Sequence, residues 1–137
     1  QNLVRKIEQS SFRRSELNYF KTALNEMKVS KQRLYAHLGR VPSPDMLVLI
    51  ADFLNHVHDI AWGFVSGLHN DKLVVIFRCD GYKKNAGRLA EKMFQAIGSA
   101  GGHRETARAE VPLRNLPLEM QDFSTRTLMR LTTKYLR

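Results

Sequence analysis

Five consecutive apolar residues, 73–77 in "KLVVIFRC", constrain the fold more than any other stretch of the chain. A strand with one wet face alternates apolar and polar residues, so an unbroken run must be covered on both of its faces, and in a single domain that cover comes from helices. The neighbouring sequence supplies the other pieces. "DIAWGFVSG" and "KLVVIFRC" are two β-rich runs joined by "LHND", the pattern of a hairpin or of adjacent strands, and "KQRLYAHLGRV" reads as a short strand. "PSPDMLVLIADFLNHV" starts a helix with Ser43 as N-cap, Pro44 at the first helical position and Asp45 in the first turn, placing Met46, Leu49, Ile50 and Phe53 on one side. A second amphipathic helix is predicted over about 83–97, with Leu89, Ala90, Met93, Phe94 and Ile97 on one side and Lys84, Arg88 and Lys92 opposite. The fold class that follows is α/β: a mixed β-sheet flanked by helices, with an N-terminal connector helix and a C-terminal helix.

At 137 residues the chain is about one domain. It contains no apolar run near the roughly 20 residues that span a bilayer, so no membrane partner is expected. A single Cys79 and the lack of a signal or transit pattern point to a reducing, cytoplasmic setting. The chain opens at Gln1 directly in a helical pattern, with Leu3, Val4 and Ile7 spaced for one face, as a piece of a longer protein would. Leu17, Phe20, Leu24 and Met27 continue such a stripe, which either packs within this domain or docks on another. Lys and Arg number 22 against 13 Asp and Glu, a formal net charge of +9 that draws the chain toward polyanions.

The stretch "GSAGGHR" is the candidate site. Gly98 is placed to end the preceding helix in a left-handed conformation, and Gly101 with Gly102 would let the backbone turn and approach a ligand closely. Consecutive N–H groups in such a turn can face an anion, with His103 and Arg104 as added donors, and a phosphate fits that description. No Gly-Lys-Ser/Thr follows, which excludes a Walker loop, and the glycines follow a helix rather than a strand, which excludes a dinucleotide fingerprint. A tight turn carrying a surface histidine is the plainer reading of the same residues. Arg78 ends the apolar run at the C-terminal end of a central strand, where ligands of open α/β sheets bind, although an ion pair with Asp80 or Glu105 would equally explain it. Arg104, Arg108 and Arg114 lie just beyond the glycines, and Tyr82 and Phe77 are candidates for stacking on a base. Asp45, Asp52, Asp59, Asp71 and Asp80 are scattered, and His37, His56, His58 and His69 lack metal-ligand spacing. Neither a catalytic residue nor a metal ligand is therefore assigned in this chain.

The order "PDMLVLIADFL", "AWGFVSGL", "LVVIFRCDG", "AGRLAEKMF" and "GSAGGHR...ARAEVPL" resembles the C-terminal substrate-binding (DHH-associated) domain of the DHH family of phosphoesterases, which includes the RecJ-like exonucleases and the nanoRNase/pAp-phosphatase branch. The similarity spans about 34–112 and is most specific at Gly101, Gly102 and His103. It implies a two-lobed hydrolase in which residues 1–33 are the interdomain connector helix and residues 34–137 the substrate-binding lobe. A missing N-terminal lobe with an Asp-His-His motif would carry the manganese, or magnesium, and the hydrolysis. The resemblance also implies substrate-binding roles for Arg78, Gly101, Gly102, His103 and Arg104, with Lys84, Arg88 and Arg108 as additional phosphate contacts. The implied partners are that catalytic lobe and a single-stranded nucleic acid, a short oligonucleotide or a nucleotide phosphate. One departure stands out: where the family continues with Ala-Ala-Gly, this chain has Thr106, Ala107 and Arg108, and the arginine alters the groove. A stand-alone basic module that binds a nucleotide or a protein without hydrolysis is the alternative, and a homodimer through the N-terminal helix a third expectation.

Overall fold

The computed structural model describes residues 13–136, and the stripe at Leu3, Val4 and Ile7 lies outside them. The elements run α1 (Arg14–Glu26), β1 (Lys28–Ser30), β2 (Arg33–Arg40), α2 (Pro44–Leu54), β3 (Trp62–His69), β4 (Lys72–Cys79), α3 (Ala86–Phe94), β5 (Ser99–Gly102), β6 (Thr106–Pro112) and α4 (Thr125–Thr133), with two short 3-10 turns between β6 and α4. The six strands form one sheet in the order β1-β2-β3-β4-β6-β5. β2 and β3 are parallel and all other neighbours antiparallel, so the sheet is mixed. The parallel pair needs a crossover, and α2 provides it.

The apolar run of β4 sits in the middle of this sheet and is covered as its composition requires. Leu73, Val75 and Phe77 face one core, shared with Leu89, Met93 and Phe94 of α3 and Leu128 and Leu131 of α4. Val74 and Ile76 face the other, against Met46, Leu47 and Ile50 of α2 and Ala23 of α1. Phe77 is fully buried, and this rules it out as a stacking platform, whereas Tyr82, the other candidate, is 69% exposed.

Local chemistry places most boundaries. Ser43 accepts a hydrogen bond from the Asp45 N–H and Pro44 opens α2, as expected. The α3 helix is shorter than the predicted 83–97, because Lys83 holds a left-handed φ of 53° and Asn85 caps the helix by accepting from the Arg88 N–H. Asn70 and Asp71 both have positive φ, matching the two-residue turn that joins twisted antiparallel strands. The strand β1 is an element the sequence did not announce: three exposed residues carry no pattern, and only pairing with β2 defines them. Residues 13–33 are attached to the sheet through that pairing and through α1, which packs on β2 and α2. Of the α1 stripe, Phe20 packs edge-on against Phe53 with ring centroids 5.5 Å apart, while Leu17, Leu24 and Met27 are exposed. No helix among the described residues is long and apolar enough to cross a membrane.

Candidate functional site

The glycine stretch is not a loop. Ser99–Gly102 is the edge strand β5, paired with β6 so that Gly101 lies opposite Arg108 and Gly102 opposite Ala107, and the turn falls at residues 103–105. Each glycine answers to a different constraint. Gly98 is not left-handed; a Cβ there would meet the Glu110 carbonyl oxygen at 2.3 Å, so glycine is needed for close approach rather than for capping. Gly102 has φ +154°, and a Cβ would come within 2.5 Å of the Ala107 Cα. Gly101 has neither restriction: the nearest atom to an added Cβ is Glu91 Oε2 at 4.0 Å. The fold therefore demands glycine at 98 and 102 but not at 101. In an antiparallel edge strand only alternate N–H groups point away from the ladder, so consecutive Gly101 and Gly102 offer at most one between them.

A further glycine, Gly87, completes the arrangement and was missed by sequence reasoning. A Cβ on it would meet the Gly102 carbonyl oxygen at 2.8 Å, and the Ala86 and Gly87 N–H groups donate to the Arg104 and His103 carbonyls, each at 2.8 Å. The first turn of α3 thus clamps the 103–105 turn from one side and spends its free N–H groups doing so.

Arg78 projects to the α2 side of the sheet, where its side chain is only 13% exposed. Its Nε donates to Asp52 Oδ1 at 2.9 Å, and its Nη1 donates to the Phe77 carbonyl at 3.1 Å and to Thr106 Oγ1. The ion pair considered for Arg78 exists, but with Asp52 rather than Asp80 or Glu105. A signal for it was present: an aspartate in the last turn of an apolar helix opposes the helix dipole and calls for a cation. With Nε and Nη1 occupied, Nη2 has no partner among the described residues and keeps two N–H donors for a ligand.

An open depression of about 260 Å3 gathers Arg78, Gly101, Gly102, His103, Thr106 and Arg108. Val48 and Ile76 give it an apolar floor. Five of the eight predicted binding residues meet here. His103 is exposed, and Arg108 reaches Glu110 Oε2 from Nε at 2.8 Å. Arg104 turns away, with Nη1 near the Gly81 and Lys84 carbonyls at 3.4 and 3.5 Å. Lys84 and Arg88 line a different cleft, and Arg114 lies beyond the far end of β6, a strand's length from Arg78. The remaining histidines have structural or surface positions. His37 is buried with Nδ1 2.8 Å from Ser66 Oγ, His69 Nδ1 lies 3.3 Å from the Val41 carbonyl, and His56 and His58 are exposed. Burial raises the Cys79 thiol pKa, and its Sγ donates to the Arg104 carbonyl at 3.1 Å, which makes it a poor nucleophile. Among the described residues no three His, Cys, Asp or Glu side chains converge to hold a metal ion.

The fold of this chain recurs in solved structures. An exopolyphosphatase-related protein from Bacteroides fragilis matches 96% of the chain and 38% of its own length, at 15% identity and a TM-score of 0.70. The C-Ala domain of Aquifex aeolicus alanyl-tRNA synthetase matches 78% of the chain and 95% of its own length, at 17% identity and a TM-score of 0.58. A pGpG-specific phosphodiesterase from Vibrio cholerae matches 87% of the chain and 38% of its own length, at 14% identity and a TM-score of 0.52. At these identities the likeness is one of fold. No family model matches the sequence. An uncharacterized protein of Methanocaldococcus jannaschii is 30% identical over 93 residues, covering 68% of the chain, and the match spans 19% of that relative's length.

Proposed function

We propose that this chain is the substrate-gripping lobe of a metal-dependent phosphoesterase of the DHH type, holding a terminal phosphate of a single-stranded nucleic acid, short oligonucleotide or nucleotide. The observation that carries this reading is the 260 Å3 depression, where Arg78, Gly101, His103 and Arg108, drawn from three strands and a turn, meet around one space. Asp52 and Thr106 hold the Arg78 guanidinium still, so little rotamer entropy is lost when a ligand binds it. The His103 ring adds a donor at the same space. Gly101, which the fold does not require to be glycine, leaves room for a phosphate to approach the backbone.

Hydrolysis belongs to another lobe in this reading, and any manganese or magnesium with it. Two of the similar structures, named as an exopolyphosphatase-related protein and a phosphodiesterase, are more than twice the length of the shared region, and a third is a domain of an enzyme named for tRNA. The exposed Leu17 and Leu24 on α1, with Met27 directly after it, give the second lobe an apolar face to rest on, which favours this reading over a stand-alone module.

Fluorescence anisotropy of the chain with short 5′-phosphorylated strands, across a salt series, tests the grip. Gly101→Ala adds a methyl on the face shared with Arg108 and Ile76, and should weaken binding roughly tenfold without lowering the melting temperature. His103→Ala should do the same, and Arg78→Lys should keep the Asp52 pair while losing the fork. Parent-like binding by all three variants would remove the site. An absence of binding even at low salt would favour the protein-binding module instead.

A further inference from the structure

The cations that the first depression does not take up converge elsewhere. Arg33 at the start of β2, Lys83 and Lys84 in the turn after β4, and Arg88 and Lys92 on α3 line a cleft of about 350 Å3. This cleft lies on the opposite face of the sheet, over the core that α3 and α4 cover. Among the described residues no Asp or Glu lines it. Lys84 pairs with Asp80 at 3.0 Å, and the Lys83 ammonium sits 5.5 Å from the centre of the Tyr82 ring. Arg33, Arg88 and Lys92 have no acidic partner among the described residues. Like charges four apart on a helix destabilise it by a few tenths of a kcal/mol per pair, and here they also face a further arginine across a concavity. A bound polyanion offsets that repulsion; a solvated helix face would not need residues from three separate parts of the chain.

The wall of the cleft also carries rings. Trp62 is buried in it, and Tyr135, 43% exposed, stands at its C-terminal side. The segment 80–85 gives Lys83, Lys84 and Asn85 to this cleft, presents Tyr82 at 69% exposure and touches Arg104, the neighbour of His103, through the Gly81 and Lys84 carbonyls. An exposed aromatic flanked by cations on both sides is the arrangement on which unpaired bases stack while their phosphates are held.

We propose that this cleft is a second polyanion site, which holds the interior phosphodiesters of a single-stranded nucleic acid whose end lies at Arg78 and His103, with Tyr82 and Tyr135 stacking bases along the way. The continuous path rests on the reading of the first depression; the cleft itself does not.

Anisotropy with a 5′-phosphorylated dinucleotide and with a strand of about 15 nucleotides separates the two. The variant Arg88→Ala/Lys92→Ala changes exposed side chains only. It should weaken the long strand at least tenfold, lower the slope of log affinity against log salt by roughly 0.7 per cation removed, and leave the dinucleotide unchanged. Tyr82→Ala/Tyr135→Ala should weaken the long strand without altering the slope. Parent-like affinity and slope for the long strand in the arginine-lysine variant would overturn the proposal. So would inorganic tripolyphosphate or anionic phosphatidylserine vesicles displacing the strand as well as an unlabelled strand does, since neither offers bases. Loss of dinucleotide binding in His103→Ala, or its persistence, reports on the first depression alone.

Discussion

At the scale of single residues, burial decides what each titratable group can do. His37 lies under Phe123, whose ring it meets edge-on at 5.1 Å, with Ser66 as its side-chain partner, and burial lowers its pKa to about 4. The unfolded chain binds a proton at this histidine near pH 6.5 and the folded chain does not, so stability rises with pH between about 4 and 6.5. Urea unfolding at pH 5 should show about 2 kcal/mol less stability from this group than at pH 7.5, and His37→Gln should remove most of that difference. A flat profile in the parent would mean that the ring is solvated or charged in the folded state. The same scale separates the glycines. Gly102→Ala forces a Cβ into the Ala107 backbone and belongs to the fold, whereas Gly101→Ala is spatially free, and sequence alone cannot tell the two apart because both read as "GG".

At the scale of elements, turns carry the strain. Lys31 and Gln32, between β1 and β2, both have positive φ, at 54° and 63°. A two-residue antiparallel connection of that shape favours Asn-Gly, and side chains such as these are held left-handed at a cost of about 1 kcal/mol each. Replacing both, Lys31→Asn with Gln32→Gly, should stabilise the chain by roughly 0.5–1 kcal/mol in thermal unfolding after the extra chain entropy of glycine is subtracted. No gain would indicate that β1 is not held on β2 in solution. The sequence announced some elements and not others: β1, β5 and β6 went unread. Ser43-Pro44 announced α2, the apolar periodicity announced α3, and the 73–77 run announced a two-sided strand. The start of α3 was misplaced by three residues, since Asn85 as a cap and Lys83 in a left-handed turn leave no trace in hydrophobic spacing.

At the scale of the whole molecule, α1 is amphipathic beyond what this domain uses. Ala23 is buried and Phe20 is half-buried, while Leu17 and Leu24 are 53% and 49% exposed. Leu17→Ser/Leu24→Ser should change the stability of this chain by no more than about 0.5 kcal/mol, because neither side chain is buried here. In a longer protein containing a second lobe the same pair should loosen the contact between lobes, seen as faster proteolysis of the connection. Equal proteolysis of parent and variant would show that the stripe serves another partner.

What the sequence by itself determined is the layered α/β arrangement, because apolar periodicity is a local property and an unbroken apolar strand has to be covered twice. It also singled out the residues of the first depression, since glycine, histidine and arginine at a strand end carry their chemistry in their identity. Only the tertiary structure decided the strand order β1-β2-β3-β4-β6-β5, the edge position of the glycine strand, the pairing of Arg78 with Asp52 and Thr106, and the division of the cations between two faces. Those outcomes depend on which strands pair and in which register. Pairing energy is collected between residues dozens of positions apart, and a one-residue change of register moves every side chain to the opposite face, so short-range patterns do not record it.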